Sequence, residues 1–287
     1  MGRFGQMKIA VITMVYNEKV MLPIWRRYYG AIFGSENLFI LDHGSDDGST
    51  EDIRHENRIK IFRETFSNAD RVKLISKFHE SLLSIYDYVI YTDCDEMLVP
   101  HPRTGKTLKE YIEARRRPYF TTVGLNLVHH NATEPVLDSS KPILSQRRHV
   151  QFVSPMIKTL ISNAPIRWGA GFHSSTLYPI LTRDLYLFHL KRFDMEHDFN
   201  RTKITRTIAR PEAEKDHGAH QRLSDQELET LYASFCEMEV KPEEKFGFNI
   251  YIEEFKKSIW YNAGLYSGKT TRSSQLFKIP QSFADVF

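Results

Sequence analysis

Three carboxylates follow directly on an apolar run in the first half of the chain. Residues 88–92 are mostly β-branched or aromatic, which is typical of an interior strand of a parallel sheet, and Asp93, Asp95 and Glu96 come next. Ligands of open α/β sheets bind at the carboxyl ends of strands, and carboxylates packed this closely repel one another unless a cation joins them. The pattern therefore predicts a site for Mg²⁺ or Mn²⁺. The alternative is an acidic surface turn, because Asp-x-Asp alone is a weak signal.

Two further polar loops follow predicted strands earlier in the chain. The apolar run 8–15 ends in Tyr16-Asn17-Glu18, and the run 37–41 leads into the Ser-, Asp- and Gly-rich loop 42–50. The carboxyl ends of parallel strands meet at one edge of a sheet. We therefore expect these loops to lie beside the acidic cluster.

Strands and helices are predicted to alternate through the first half of the chain. Predicted strands are 8–15, 37–41, 58–62, 88–92, 119–128, 156–161 and 184–190. Predicted helices are 20–29, a short one before 58, 70–86, 107–116, one starting after Ser224, and 255–261. Segment 139–155 is predicted to be a mobile loop. The alternation predicts an α/β fold with a mostly parallel central sheet flanked by helices, followed by a helical C-terminal extension.

Composition narrows the class of protein. Charge is nearly balanced, with 39 Lys and Arg against 36 Asp and Glu, so nothing indicates nucleic acid binding. The two cysteines, Cys94 and Cys236, match no metal-site spacing and suit a reducing compartment. Residues 1–8 lack an apolar signal core, so a cytoplasmic protein is expected. Mixed basic and aromatic residues in the last third leave peripheral membrane association open, and the oligomeric state is not indicated.

The three polar motifs, taken in order, resemble those of a family 2-type glycosyltransferase with the GT-A fold, in the bacterial subgroup with an Asp-x-Asp-Glu motif. The matching residues are Asn17-Glu18, Asp42-x-Gly44-Ser45-x-Asp47-Gly48-Ser49-Thr50 and Asp93-x-Asp95-Glu96. The resemblance covers the first hundred residues well and the remainder loosely. Ser49-Thr50 replaces the usual Gly-Thr, and Cys94 stands where Val or Ala is common.

The resemblance implies a metal-dependent transferase that uses a nucleotide sugar, with a UDP-sugar favoured. It implies a GT-A domain over 1–220, with a nucleotide-sugar half of about 1–128 and an acceptor half of about 129–220, and an extension over 221–287. The expected acceptor is a glycan or a lipid-linked saccharide. The expected setting is bacterial surface polysaccharide synthesis, with inversion at the transferred sugar.

The resemblance implies roles for the residues at the carboxyl ends of the predicted strands 8–15, 37–41 and 88–92. Thr13, Tyr16 and Glu18 are expected to help hold the nucleotide. Asp42 is expected to accept a hydrogen bond from an N–H of uracil or guanine, and its alternative is a turn or cap aspartate. Asp93 is expected near the ribose and the metal.

Asp93 and Asp95 are expected to bind the metal, together with a histidine from later in the chain. His189 is the candidate, because GT-A enzymes commonly recruit one there, and neutral imidazole is an ordinary metal ligand. The alternative for His189, a hydrogen-bonded core histidine, carries equal weight.

Five residues are further candidates for binding the substrate or for catalysis. Lys158 could face a phosphate, and His173 lies in a glycine-containing loop that a substrate could approach closely. An inverting transfer needs a base for the acceptor hydroxyl, and Asp194, Glu96 and Glu196 are candidates. A solvated charged segment remains the simpler explanation for any one of them.

Two other functions remain open. A sugar nucleotidyltransferase shares a similar sheet and an acidic metal site, but it would be expected to carry a Gly-rich, basic phosphate loop after the first strand. Tyr16-Asn17-Glu18 occupies that place. A catalytically inactive nucleotide-sugar-binding protein on the same fold would bind without turnover.

Overall fold

The computed structural model describes residues 7–214 and 218–287. Residues 1–6 and 215–217 of the predicted domain 1–220 lie outside the described residues. The strands are β1 (Ile9–Val15), β2 (Leu38–Asp42), β3 (Asn57–Lys60), β4 (Tyr88–Tyr91), β5 (Glu96–Pro100), β6 (Tyr119–Val128), β7 (His149–Phe152), β8 (Thr159–Ser162), β9 (Leu181–Arg192), β10 (Val240–Lys241), β11 (Trp260–Asn262), β12 (Leu265–Ser267) and β13 (Leu276–Lys278). The helices are α1 (Met21–Phe33), α2 (Asn68–Leu82), α3 (Leu108–Arg115), α4 (Ile143–Gln146), α5 (Met195–Thr207), α6 (Asp225–Glu237) and α7 (Asn249–Lys257).

A parallel sheet forms the first half of the molecule, with strand order β4-β1-β2-β3. β1 is buried along its whole length, as expected of a strand covered on both faces. Val15 is in register with Asp42, and Ile12 with Tyr91, so the three strands end near one another. This confirms the predicted α/β fold and places the polar loops after β1, β2 and β4 at one sheet edge.

α1 holds the acidic segment against the sheet. Its Trp25 donates from Nε1 to Thr92 Oγ1 at 2.8 Å, and its Tyr29 hydroxyl donates to the Glu96 carbonyl at 3.0 Å. Both aromatic side chains are fully buried. Segment 92–96 is therefore anchored by core side chains and does not behave as a free surface turn.

The second half of the sheet mixes parallel and antiparallel pairs. β8 is antiparallel to β4, β6 lies between β8 and β7, and β9 runs parallel to β6. β5 pairs with β9 in an antiparallel register that sets Glu96 opposite His189. This pairing carries a histidine from a distant part of the chain to the end of the acidic strand.

The short helix predicted between the second and third strands is not present. Residues 43–56 form turns, in which Asp47 Oδ1 accepts from the Ser49 N–H at 2.9 Å and Asp42 Oδ1 accepts from the Ser45 N–H at 2.8 Å. Short polar side chains that bond to the nearby backbone favour turns over a helix.

Segment 139–155, predicted to be a mobile loop, is ordered by buried polar contacts. It contains α4 and β7, and the fully buried Arg147 donates from Nε to the Phe193 carbonyl at 2.7 Å. The prediction was wrong because a single arginine in a polar stretch gave no sign that it crosses the core.

The C-terminal extension is helical only in part. The last helix, predicted to include 255–261, is α7, but it ends at Lys257. β11 and β12 then form a hairpin whose turn contains Ala263 and Gly264 at positive φ. β13 joins the main sheet beside β7, and Phe283 and Phe287 are buried in the main core. None of the described helices is both long and apolar enough to span a bilayer.

Candidate nucleotide-sugar site

Asp95 and His189 meet at the carboxyl edge of the sheet. Asp95 Oδ2 lies 3.3 Å from His189 Nε2, and His189 Nδ1 lies 2.8 Å from Asn126 Oδ1. A proton on Nδ1 would be donated to Asn126 and would leave the Nε2 lone pair facing the carboxylate. Although burial raises the pKa of Asp95, His189, Lys191 and Lys158 outweigh burial and hold that pKa below its ordinary value. Asp95 is therefore an ionised carboxylate beside an imidazole nitrogen.

Asp93 turns away from this pair. Its Oδ1 accepts a hydrogen bond from the Tyr91 hydroxyl at 2.6 Å and forms an ion pair with Arg71, and its Oδ2 lies 4.0 Å from Lys158 Nζ. Burial raises the pKa of Asp93, but Arg71 and Lys158 outweigh burial and lower it overall. The predicted grouping of Asp93 with His189 as metal ligands is not assembled, because Arg71 holds the Asp93 carboxylate.

Glu96 is enclosed beneath the site and binds the predicted phosphate ligand Lys158. Its Oε1 lies 2.6 Å from Lys158 Nζ, and its Oε2 accepts from the Asp93 N–H at 3.2 Å. Both side chains are almost fully buried. Glu96 positions Lys158 and is shielded from an acceptor, so the structure offers it no path to act as a base.

Glu18 is linked to α5 by Arg201. Arg201 Nη2 lies 2.7 Å from Glu18 Oε1, and Arg201 Nη1 donates to the Tyr16 and Asn17 carbonyls at 3.0 and 2.9 Å. Burial, opposed by Arg201 and reinforced by Asp95 and other nearby carboxylates, raises the pKa of Glu18 to about 8. Burial is the main cause of this shift, and the neighbouring carboxylates, Asp95 among them, add to it.

Tyr16 and Asp42 line the adjacent loops. The Arg63 guanidinium lies 3.4 Å from the Tyr16 ring centroid, so this ring is covered by a cation. Asp42 is fully buried and accepts from the Thr50 hydroxyl at 2.8 Å and from Arg58 Nη2 at 2.7 Å, in addition to the Ser45 N–H. These contacts match the turn role considered for Asp42, and its role in base recognition stays a prediction.

Three other predicted residues lie around the site or outside it. Thr13 is fully buried in β1, so its side chain is closed to a ligand in this conformation. His173 is exposed and its Nδ1 lies 2.7 Å from the Pro155 carbonyl, in a loop where Gly171 adopts φ of 64°. Asp194 caps α5 by accepting from the His197 N–H at 2.9 Å and pairs with Arg147 at 3.0 Å, so its carboxylate is occupied by structural contacts.

Asp95 and His189 fit a divalent cation whose coordination shell is completed by a substrate. Within residues 7–214 and 218–287, no three His, Cys, Asp or Glu side chains are grouped so that they could hold a metal ion alone. Mg²⁺ and similar ions, however, are often bound through one or two carboxylates together with substrate phosphates and water. Asp95 and His189 supply a carboxylate oxygen and an imidazole nitrogen for such a site.

Three arginines near the predicted motifs were not identified from the sequence as site residues. Arg71, Arg63 and Arg201 each contact a residue of a predicted motif. Lys191, close to the candidate ligand His189, has its pKa lowered to about 8, chiefly by burial and by Arg192. Arginine has no diagnostic spacing, so only the tertiary contacts show that these side chains converge.

Comparisons with known proteins show similarity only to solved structures. No protein-family model matches the chain, and no curated protein matches it. A CMP:2-keto-3-deoxy-manno-octonic acid synthetase complexed with CTP is 11% identical, with 55% of this chain and 65% of that chain covered and a TM-score of 0.27. A mannose-1-phosphate geranyltransferase from Thermus thermophilus is 8% identical, with 79% and 65% covered and a TM-score of 0.30. The chain thus spans just under two thirds of each, and similarity this low carries no argument about function.

Proposed function

We propose that this protein is a metal-dependent glycosyltransferase that takes a sugar from a nucleotide-sugar donor, with a UDP-sugar favoured. The observation that supports this proposal most is the Asp95–His189 pair, 3.3 Å apart at the sheet edge where the three polar loops meet. The proposed acceptor is a glycan or a lipid-linked saccharide, and the proposed setting is bacterial surface polysaccharide synthesis with inversion.

Different residues of the site would bind different parts of the donor. Asp95 and His189 would hold Mn²⁺ or Mg²⁺, which when bound neutralises the diphosphate leaving group. Lys158 and Lys191 supply positive charge beside those ligands, and Glu96 fixes the Lys158 ammonium. Asp93, held by Arg71 and Tyr91, would lie near the ribose of the donor.

A sugar nucleotidyltransferase is the second candidate. The structure similar to this chain that was solved with CTP is named as a synthetase, although its TM-score gives that name no weight here. The loop after β1 favours the first candidate. It holds Tyr16-Asn17-Glu18, with Glu18 bound to Arg201, rather than the Gly-rich, basic phosphate loop expected of a nucleotidyltransferase.

The products formed from candidate substrates test this choice. The protein is incubated with Mn²⁺ and each of UDP-, GDP-, CMP- and dTDP-sugars without an acceptor, and separately with sugar 1-phosphates and nucleoside triphosphates. Glycosyl transfer predicts slow donor hydrolysis that releases the free nucleotide, whereas nucleotidyl transfer predicts pyrophosphate.

The variant Asp95→Asn shows whether a product is formed at the proposed site or by a contaminating enzyme. Nucleotide release that this variant loses supports the proposal, and pyrophosphate release that it loses supports the second candidate. Metal-dependent binding of a nucleotide sugar with no product would indicate an inactive binding protein.

A further inference from the structure

A cavity of about 680 Å³ lies away from the acidic site, between the C-terminal half of α1, the end of β5, the start of α3 and the last residues of the chain. This volume is within the range of small-molecule sites, roughly 300–1,000 Å³. None of the residues assigned to the nucleotide-sugar site lines it.

The walls of the cavity are apolar. Tyr28 and Phe287 are buried and meet edge to face, with ring centroids 5.7 Å apart. Val99 and Leu108 complete the buried part, and Ala31 of α1 lines the open side. An apolar concavity of this size gains free energy by excluding water when an apolar group fills it.

The rim of the cavity is mainly cationic. Arg27, Lys106 and Lys141 line it together with one acidic side chain, Asp285. Lys141 is paired with Asp138 at 3.0 Å, whereas Arg27 and Lys106 form no ion pair with a described residue. An apolar interior with unpaired cations at its mouth complements an amphiphile that has an anionic head.

We propose that this cavity binds a lipid phosphate, with its hydrocarbon chain against Tyr28 and Phe287 and its phosphate at Arg27 and Lys106. The biological role of this cavity rests on the proposed function. If the protein is a glycosyltransferase, a lipid phosphate in the cavity means that its acceptor is lipid-linked and is not a free glycan. Glu96 at the start of β5 lies under the acidic site and Pro100 at its end lines the cavity, so the two sites lie about 13 Å apart along this strand.

Calorimetric titration with decyl phosphate, below its critical micelle concentration and without metal or nucleotide, tests the cavity directly. Inorganic phosphate and decanol are the comparison probes. We expect saturable binding of decyl phosphate that is at least tenfold tighter than binding of inorganic phosphate.

Matched variants locate the binding. Ala31→Trp places an indole in the cavity, and Ala233→Trp makes the same change at an exposed position on α6. We expect at least tenfold weaker binding of decyl phosphate to Ala31→Trp and no change in Ala233→Trp. Lys106→Glu, in an exposed loop, should weaken decyl phosphate about threefold or more and leave decanol unchanged.

The proposal is overturned by unchanged binding in both Ala31→Trp and Lys106→Glu, by equal affinity for inorganic phosphate, or by no saturable binding. A concentration-dependent dimer of the wild type that Ala31→Trp abolishes in sedimentation would also overturn it, since a second copy would then cover the cavity. These outcomes are independent of the donor experiments. A failure here leaves the nucleotide-sugar site intact, and a failure of the donor experiments leaves the lipid site standing.

Discussion

Asn126 Oδ1 lies 2.8 Å from Nδ1 of His189, and the other ring nitrogen of His189 lies 3.3 Å from Asp95 Oδ2. Asn126 and His189 are neighbours in the β6–β9 register, so the contact is built into the sheet. A second partner that fixes the tautomer of a metal-binding histidine commonly changes metal affinity by about 10- to 100-fold.

Replacing Asn126 should therefore weaken metal binding without dismantling the fold. Asn126→Leu is expected to lower Mn²⁺ affinity by about tenfold or more, measured by electron paramagnetic resonance in the presence of UDP, and Asn126→Asp should retain it. Gln151→Leu is the control, because Gln151 pairs with Asn126 across β6 and β7 but donates to the Ser273 carbonyl. Equal losses in Asn126→Leu and Gln151→Leu would contradict a specific role for Asn126.

Replacing only one partner of the buried Lys158–Glu96 ion pair should strongly destabilise the protein. Lys158→Met leaves the Glu96 carboxylate buried and unpaired, and we expect a loss of about 3–5 kcal/mol in the free energy of unfolding in urea. Lys158→Met with Glu96→Gln should recover most of that loss, because residue 96 then carries no charge and Asp93 keeps its ion pair with Arg71. Lys77→Met breaks an exposed pair with Glu80 and should cost less than about 1 kcal/mol. A single variant no worse than the double variant would refute this account of the pair.

His79 should make stability fall in acid. It is fully buried edge-on against Trp168, neither ring nitrogen has a partner among the described residues, and burial lowers its pKa from 6.5 to about 4. The unfolded chain takes up this proton first, so the contribution is present above pH 6.5 and is lost as the pH falls toward 4. The loss is up to about 3 kcal/mol.

Urea unfolding of the wild type and His79→Phe at about pH 7 and about pH 4.5 measures this effect. The variant should lose less stability between the two pH values than the wild type does, while the exposed control His55→Gln should follow the wild type. Identical pH dependence in the wild type and His79→Phe would show that His79 does not titrate in this way.

Local patterns predicted the elements that carry the site better than they predicted its contacts. β6 was predicted at its observed bounds, and the capping box at Ser224 and Glu227 correctly marks the start of α6. These features depend on residues a few positions apart. The Asp95–His189 contact depends on the β5–β9 pairing, and sequence reasoning reached His189 only through a family resemblance.

The contacts that sequence reasoning missed share a physical cause, which is tertiary contact over long sequence separations. Asp93 was predicted to bind the metal, which stays a prediction, but its ion pair with Arg71 of α2 was not foreseen. Arg147 crosses the core to Phe193 and orders a segment that looked like a loop. Both arginines are ordinary in sequence, and only the packed fold brings them to their partners.

The central claim is tested most directly by nucleotide-sugar binding that depends on both manganese and Asp95. Thermal unfolding is followed with UDP-, GDP-, CMP- and dTDP-sugars, with and without Mn²⁺, for the wild type, Asp95→Asn and the surface control Asp52→Asn. At a hundredfold excess over the dissociation constant, one nucleotide class should stabilise the wild type and the control by about 2.7 kcal/mol, only with Mn²⁺, and should not stabilise Asp95→Asn. An absence of stabilisation by every nucleotide sugar, or equal stabilisation of Asp95→Asn, would contradict the proposed site.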